Sequence, residues 1–172
     1  LADLYTIQGE QVGDTPWQAY PRPQMRRESY LNLNGWWDFS CNDHTAHNKI
    51  LVPFCPESKL SGIGHKDFIA AVWYRKTISL PQIPEGRCIL HFGAVDYKCT
   101  VYVNEKLVGS HSGGYVSFYF DIAEYFMYKA FQIVQYCLPT AKSYPFYLDT
   151  CGFYTVYGDT YICSFYVLEG CG

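Results

Sequence analysis

Long apolar runs are missing from this 172-residue chain, and none approaches the roughly 18 residues a helix needs to cross a bilayer. Basic charge is scarce as well. Lys and Arg number 13 against 16 Asp and Glu, a formal net charge of −3. That balance excludes the dense basic surface on which nucleic-acid binding depends. No basic, apolar, small-residue start marks a signal peptide, which favours a cytoplasmic location. The chain opens on Leu1 rather than Met, so a preceding segment is expected. Its eight cysteines include no Cys-x-x-Cys pair. Without a visible export signal, they read as buried free thiols rather than a disulfide framework. Gly-x-Ser-x-Gly is also absent, which removes one common nucleophile motif. A (β/α)8 barrel of roughly 250 residues does not fit in this length, whereas one ordinary domain does.

What the chain has in excess is aromatic residues: 17 Tyr, 11 Phe and 4 Trp, together 19% of the sequence. Aromatics favour strands and half-buried faces, where a ring packs on one side and a polar tip reaches water. Short aromatic and β-branched runs alternate with turn clusters from Leu31 onward. The expected strands are Gly35–Cys41, Ile50–Phe54, Val72–Leu80, Arg87–Ala94, Tyr97–Asn104, Lys106–His111, Ser117–Ile122, Ala130–Cys137, Phe153–Tyr157 and Tyr161–Leu168. Period-two alternation puts Cys99, Val101 and Val103 on one face, with Thr100, Tyr102 and Asn104 on the other. Asn104-Glu105-Lys106 reads as a tight hairpin turn, because Asn tolerates positive φ. Only Asp121–Lys129 has room for a helical turn. Many short strands at this spacing predict an all-β, antiparallel β-sandwich.

Residues 1–30, with Pro16, Pro21 and Pro23, read as an extended lead-in packed on the domain. Residues 31–172 form a single sandwich whose character changes after about residue 125. From Phe126 onward there are eight Tyr and four Cys, but only five charges: Lys129, Lys142, Asp149, Asp159 and Glu169. Such a charge-poor end suits either closing strands or a face docked on a partner.

Few constellations could carry chemistry. Cys41, His44 and His47 offer soft ligands at short spacing but lack an obvious fourth, so a polar turn is the favoured reading. Gly109-Ser110-His111-Ser112-Gly113-Gly114 precedes a strand rather than a helix and therefore lacks the aligned amides of a phosphate cradle. A tight corner with no room for a Cβ is expected there. Asp96, Asp121, Asp149 and Asp159 supply carboxylates, but nothing in the sequence pairs them as an acid and a base. Asp96 reads as a turn cap. No catalytic residue, metal site or cofactor is expected.

Several residue strings, taken in order, carry a resemblance. These are Tyr20-Pro21-Arg22-Pro23-Gln24, Arg27-Glu28-Ser29-Tyr30, Leu33-Asn34-Gly35-Trp36-Trp37-Asp38-Phe39 and Val52-Pro53-Phe54-Cys55-Pro56-Glu57-Ser58 with Ser61-Gly62. They continue through Val72-Trp73-Tyr74-Arg75, His91-Phe92-Gly93-Ala94-Val95-Asp96-Tyr97 and Val101-Tyr102-Val103-Asn104. Val108-Gly109, His111-Ser112-Gly113-Gly114-Tyr115 and Phe118-Tyr119-Phe120-Asp121-Ile122 complete the series. Over roughly residues 20–125 the chain resembles the N-terminal sugar-binding domain of family 2 glycoside hydrolases, the β-galactosidase and β-glucuronidase group.

The resemblance implies a jelly-roll sandwich of galactose-binding-domain type. It also implies as partners a carbohydrate (a β-glycoside), an immunoglobulin-like domain and a catalytic barrel. The family's two catalytic glutamates lie in that barrel, so none is carried over here. Its Ser-Gly-Ile-aromatic motif is missing from this tail. A loop aspartate of that region lines the sugar subsite in the family, and Asp149 and Asp159 are the candidates for it. Asp67, in the mixed charged and aromatic loop Gly64-His65-Lys66-Asp67-Phe68, is the third carbohydrate-binding candidate. The expected functional face joins this loop to the tail from Tyr144 to Tyr161. The core is expected to hold Trp37, Phe39, Trp73, Phe92, Val101 and Val103. A non-catalytic module of a family 2 β-glycosidase is the leading reading. The alternatives are a free-standing lectin-like module and a structural remnant without a ligand.

Overall fold

Alternating inward and outward residues organise this chain into two antiparallel sheets that share one core. A computed structural model describes residues 6–18, 24, 30–41, 48–65, 67, 69–80, 86–95, 97–126, 130–138 and 166–169. A short helix α1 (Ile7–Glu10), capped by the Thr6 side chain, precedes ten strands among the described residues. These are β1 (Tyr30–Asn32), β2 (Gly35–Cys41), β3 (Asn48–Val52), β4 (Val72–Ser79) and β5 (Cys88–Phe92), then β6 (Lys98–Val103), β7 (Lys106–Ser112), β8 (Phe118–Asp121), β9 (Ala130–Leu138) and β10 (Tyr166–Glu169).

The smaller sheet has the order β1-β10-β5-β8 and the larger β3-β2-β4-β9-β6-β7. The chain changes sheet after β1, β4, β5, β7, β8 and β9, so most links bridge the two layers. Every described ladder is antiparallel. This is the sandwich the sequence predicts.

Period-two burial decides which residues fill the interior. β2 turns in Trp37 and Phe39, β5 turns in Cys88, Leu90 and Phe92, and β6 turns in Cys99, Val101 and Val103. Ile50, Val52, Tyr74, Ile78, Ile122 and Ile133 complete the packing between the sheets. Trp37 is anchored as well as buried, since its Nε1–H donates to the Leu33 carbonyl at 2.9 Å.

Trp73 departs from the expected core. On β4 the inward positions are Val72, Tyr74 and Ile78, which leaves Trp73 on the outer face. There it is half-buried and packs its ring on Tyr136 of the neighbouring strand, with centroids 4.3 Å apart. Trp73 and Tyr74 are adjacent in sequence, and on this strand the alternation turns Tyr74 into the core.

Asn104 and Glu105 adopt positive φ of 49° and 65° in the β6–β7 turn, as the hairpin reading requires. Ala123–Tyr125 forms a single 3-10 turn within the segment expected to hold one. The glycine-rich run is mostly strand rather than corner. Gly109 lies inside β7, and the chain turns only beyond it, through Gly113, at φ 132°, and the bend at Gly114 and Tyr115. Cys55, Cys88, Cys99 and Cys137 are buried reduced thiols, and Cys41 is a half-buried one. The expected strand Phe153–Tyr157 lies outside the described residues.

Candidate functional site

The long connection from β3 to β4 begins at a cis Val52-Pro53 bond and folds on itself instead of looping out. Phe54 N–H donates to the Leu51 carbonyl at 3.0 Å, and Ser58 N–H to the Cys55 carbonyl at 3.0 Å. Phe54 and Cys55 are buried, so the first turn is nailed to the interior. Ser58 caps the 3-10 turn Lys59–Ser61 by accepting from Leu60 N–H at 3.1 Å. Ser61 is fully buried. Its hydroxyl donates to the Ser58 carbonyl at 2.6 Å and accepts from Ile63 N–H at 3.1 Å. Gly62 closes the turn in the left-handed region, at φ 83°. The amide of His65 then returns to the Pro56 carbonyl at 2.9 Å.

This hydrogen-bonded platform carries the stretch that holds Asp67. Asp67 is exposed, between the tied His65 and the buried Ile69. An exposed carboxylate in a loop can accept hydrogen bonds from a hydroxyl-rich ligand. Asp149, Asp159 and the tail from Tyr144 to Tyr161 lie outside the described residues. So do His44 and His47, and no cluster of three or more His, Cys, Asp or Glu side chains suits a metal ion among the described residues.

Beside this loop stands Trp36, which the sequence reading passed over. Its ring is 42% exposed and lies over Gly62, where a Cβ would come within 3.4 Å of Cη2 and Cζ3. Its Nε1–H donates to Asp14 Oδ1 at 2.8 Å. Two further bonds tie the leading segment to the same corner: Asn32 donates to the Trp17 carbonyl at 2.9 Å and Asn34 to the Pro16 carbonyl at 3.2 Å. Trp17 in turn packs on Phe54, with ring centroids 5.2 Å apart. The Trp36-Trp37 doublet was the available signal, because in a strand of period two one of two adjacent tryptophans must face outward.

Lys76 adds positive charge under this corner. Its Nζ donates to the Trp36 carbonyl at 3.1 Å and lies 5.4 Å from the centre of the Trp37 ring. Burial, and to a lesser degree the charge of Lys49, hold its ammonium below the usual lysine pKa. Trp36 presents a fixed indole over Gly62 of this loop, and the loop adds polar backbone and, further along, the exposed Asp67. Such groups can stack on an apolar ring face and bond to hydroxyls. It assembles no acid–base pair.

The profile of the sugar binding domain of glycosyl hydrolases family 2 matches residues 63–157 of this chain. The chain is 29% identical over 106 residues to a β-glucuronidase of Streptococcus agalactiae, an alignment covering 58% of the chain and 18% of that relative. It is 40% identical over 68 residues to a β-galactosidase of Thermoanaerobacter pseudethanolicus, covering 39% of the chain and 9% of the relative. Among solved structures it is similar to a β-glucuronidase from Ruminococcus gnavus in complex with C6-substituted uronic isofagomine. That match has a TM-score of 0.57 at 22% identity and covers 70% of this chain and 23% of the other. The chain thus spans less than a fifth of the length of these two curated relatives.

Proposed function

This chain belongs to glycosyl hydrolase family 2 as its sugar-binding domain, and from that premise we propose that it acts as the non-catalytic carbohydrate-contacting and supporting module of a β-glucuronidase or β-galactosidase. The observation that carries this reading is the overlap of the family match with the built loop: residues 63–157 include Asp67 and its anchors. Hydrolysis of the glycosidic bond belongs, on this reading, to a catalytic barrel in a longer protein. The module contributes a carboxylate at Asp67, together with Asp149 and Asp159 from the tail, as acceptors for sugar hydroxyls. Its partners are a β-glycoside, the barrel and an immunoglobulin-like domain.

Isothermal titration of methyl β-glucuronide and methyl β-galactoside into the chain tests this. Weak binding of one of them is expected, reduced by about tenfold, or ~1.4 kcal/mol, in Asp67→Ala. Undiminished binding in that variant would move the contact elsewhere. Absence of binding by a folded wild type would overturn sugar recognition by the module itself.

A further inference from the structure

Two thiols face each other across the middle of the larger sheet. Cys99 of β6 pairs directly with Cys137 of β9 in the antiparallel ladder. Both are buried on the inner face, at 1% and 2% exposure, and both are reduced thiols. The kind of pair they form follows from the end of the same ladder. Asn104 N–H donates to the Gln132 carbonyl at 2.9 Å, which marks 104 and 132 as a hydrogen-bonded pair. The β6–β9 register then runs without a shift from Val103↔Ile133 to Lys98↔Leu138. Hydrogen-bonded and non-hydrogen-bonded pairs alternate along an antiparallel ladder, so counting back five positions makes Cys99↔Cys137 a non-hydrogen-bonded pair.

Such pairs hold their Cα atoms about 4.5 Å apart, with side chains at their closest, inside the roughly 4.4–6.8 Å that a disulfide spans. Two other described cysteines, Cys41 and Cys88, are farther away. Cys41 is separated from Cys137 by a whole strand, since both pair with Val72 of β4, and two strand spacings come to about 9.6 Å. Cys88 belongs to the opposite sheet, about 10 Å across the sandwich.

We infer that Cys99 and Cys137 are a built site for a cross-strand disulfide, formed by exchange with a small disulfide such as oxidised glutathione. One cysteine thiolate attacks the glutathione disulfide, giving a mixed disulfide and releasing one glutathione thiol. The second thiolate attacks the mixed disulfide and releases the other. The two protein thiols lose two electrons and two protons in total, and one glutathione disulfide becomes two thiols. The new bond closes a loop containing β7 and β8 and ties together two central strands, which constrains the unfolded chain.

Access governs the rate. Burial pushes the Cys99 thiol up to about 11, with a hydrogen bond to the His111 backbone offsetting a small part. Almost no thiolate therefore exists in the closed sheet at neutral pH, and exchange proceeds through transient opening of β6 or β9.

The test is incubation of the chain with oxidised glutathione, then denaturation, alkylation with N-ethylmaleimide and peptide mapping by mass spectrometry. The expected result is a linked peptide pair containing Cys99 and Cys137, with both lost to alkylation and restored by dithiothreitol. Urea below the unfolding transition should speed the linkage several-fold, and the oxidised chain should melt several degrees higher. Cys88→Ser should still form the link, while Cys99→Ser and Cys137→Ser should each abolish it. Full alkylation of both residues after oxidation in sub-denaturing urea would overturn the inference. Linkage of either residue to a different cysteine would overturn it equally.

Discussion

Arg87 and Asp121 close one end of the smaller sheet, with Arg87 Nε donating to Asp121 Oδ2 at 2.9 Å. The other oxygen of the same carboxylate accepts from two backbone amides, Cys88 at 3.3 Å and Ala123 at 3.2 Å. Asp121 therefore joins the start of β5 to the end of β8 and, in a cap-like bond, accepts from the first amide of the 3-10 turn that follows. The Arg87 hydrogen bond, assisted by the two amides, holds this carboxyl below the usual carboxylate range against a smaller opposing effect of burial. Because the native pKa is depressed, the contribution to stability is complete above the ordinary carboxylate range. It is lost as pH falls through the lower native value. Asp121→Ala should lower stability by about 1 kcal/mol at neutral pH, in the range of lost caps, with most of the loss from the amides because the ion pair is screened. Asp121→Asn should keep part of the cap but lose the acid-dependent component. Denaturant midpoints between pH 7 and pH 3 for the three proteins check both statements.

Gly109 is needed for close approach of the two sheets. A Cβ there would press into the Phe120 ring of β8, lying 3.0 Å from Cδ1 and nearer still to Cε1. Phe120 is itself wedged against Phe92 and Phe118, so its ring has little room to yield. Gly109→Ala should destabilise by about 1–3 kcal/mol through overpacking. The paired substitution Gly109→Ala with Phe120→Leu should recover part of the loss, measured by urea unfolding.

Trp37 and Trp73 should separate cleanly in stability. Trp37 is 1% exposed and hydrogen-bonded to Leu33, so its truncation to Ala should cost about 3–5 kcal/mol. Trp73 is half-buried against Tyr136, and loss of that aromatic pair should cost about 0.5–1.5 kcal/mol plus part of its burial. Equal losses in Trp37→Ala and Trp73→Ala, read from denaturant midpoints, would contradict the inward and outward assignment.

Assayed alone, this chain should hydrolyse neither aryl β-glucuronides nor aryl β-galactosides, because its described carboxylates assemble no acid with a nucleophile or base. The check is release of the aryl alcohol by purified chain. Turnover that disappears on substituting Asp67, Asp121 or another of its own carboxylates would overturn this expectation.

Residues read in order determined much of this protein. The alternation in Gly35–Cys41 and Cys99–Val103, the Asn104-Glu105 turn and the spacing of short aromatic runs were sufficient for an antiparallel sandwich. These signals are local, since side chains of a strand alternate whatever its partner. The family resemblance likewise rested on contiguous strings such as Leu33 to Phe39. Which strands became neighbours was a tertiary matter. The pairing of β4 with β9 set the outward Trp73 beside Tyr136, and the pairing of β6 with β9 set Cys99 opposite Cys137. Nor could Asp14 and Trp36 be connected from the sequence, since their hydrogen bond spans 22 positions and depends on how the leading segment lies. Register and layer stacking are global, because a ladder is decided by all its pairs and a core by both its faces. For that reason the strand pattern was legible in the residues, while the neighbours of each side chain waited for the fold.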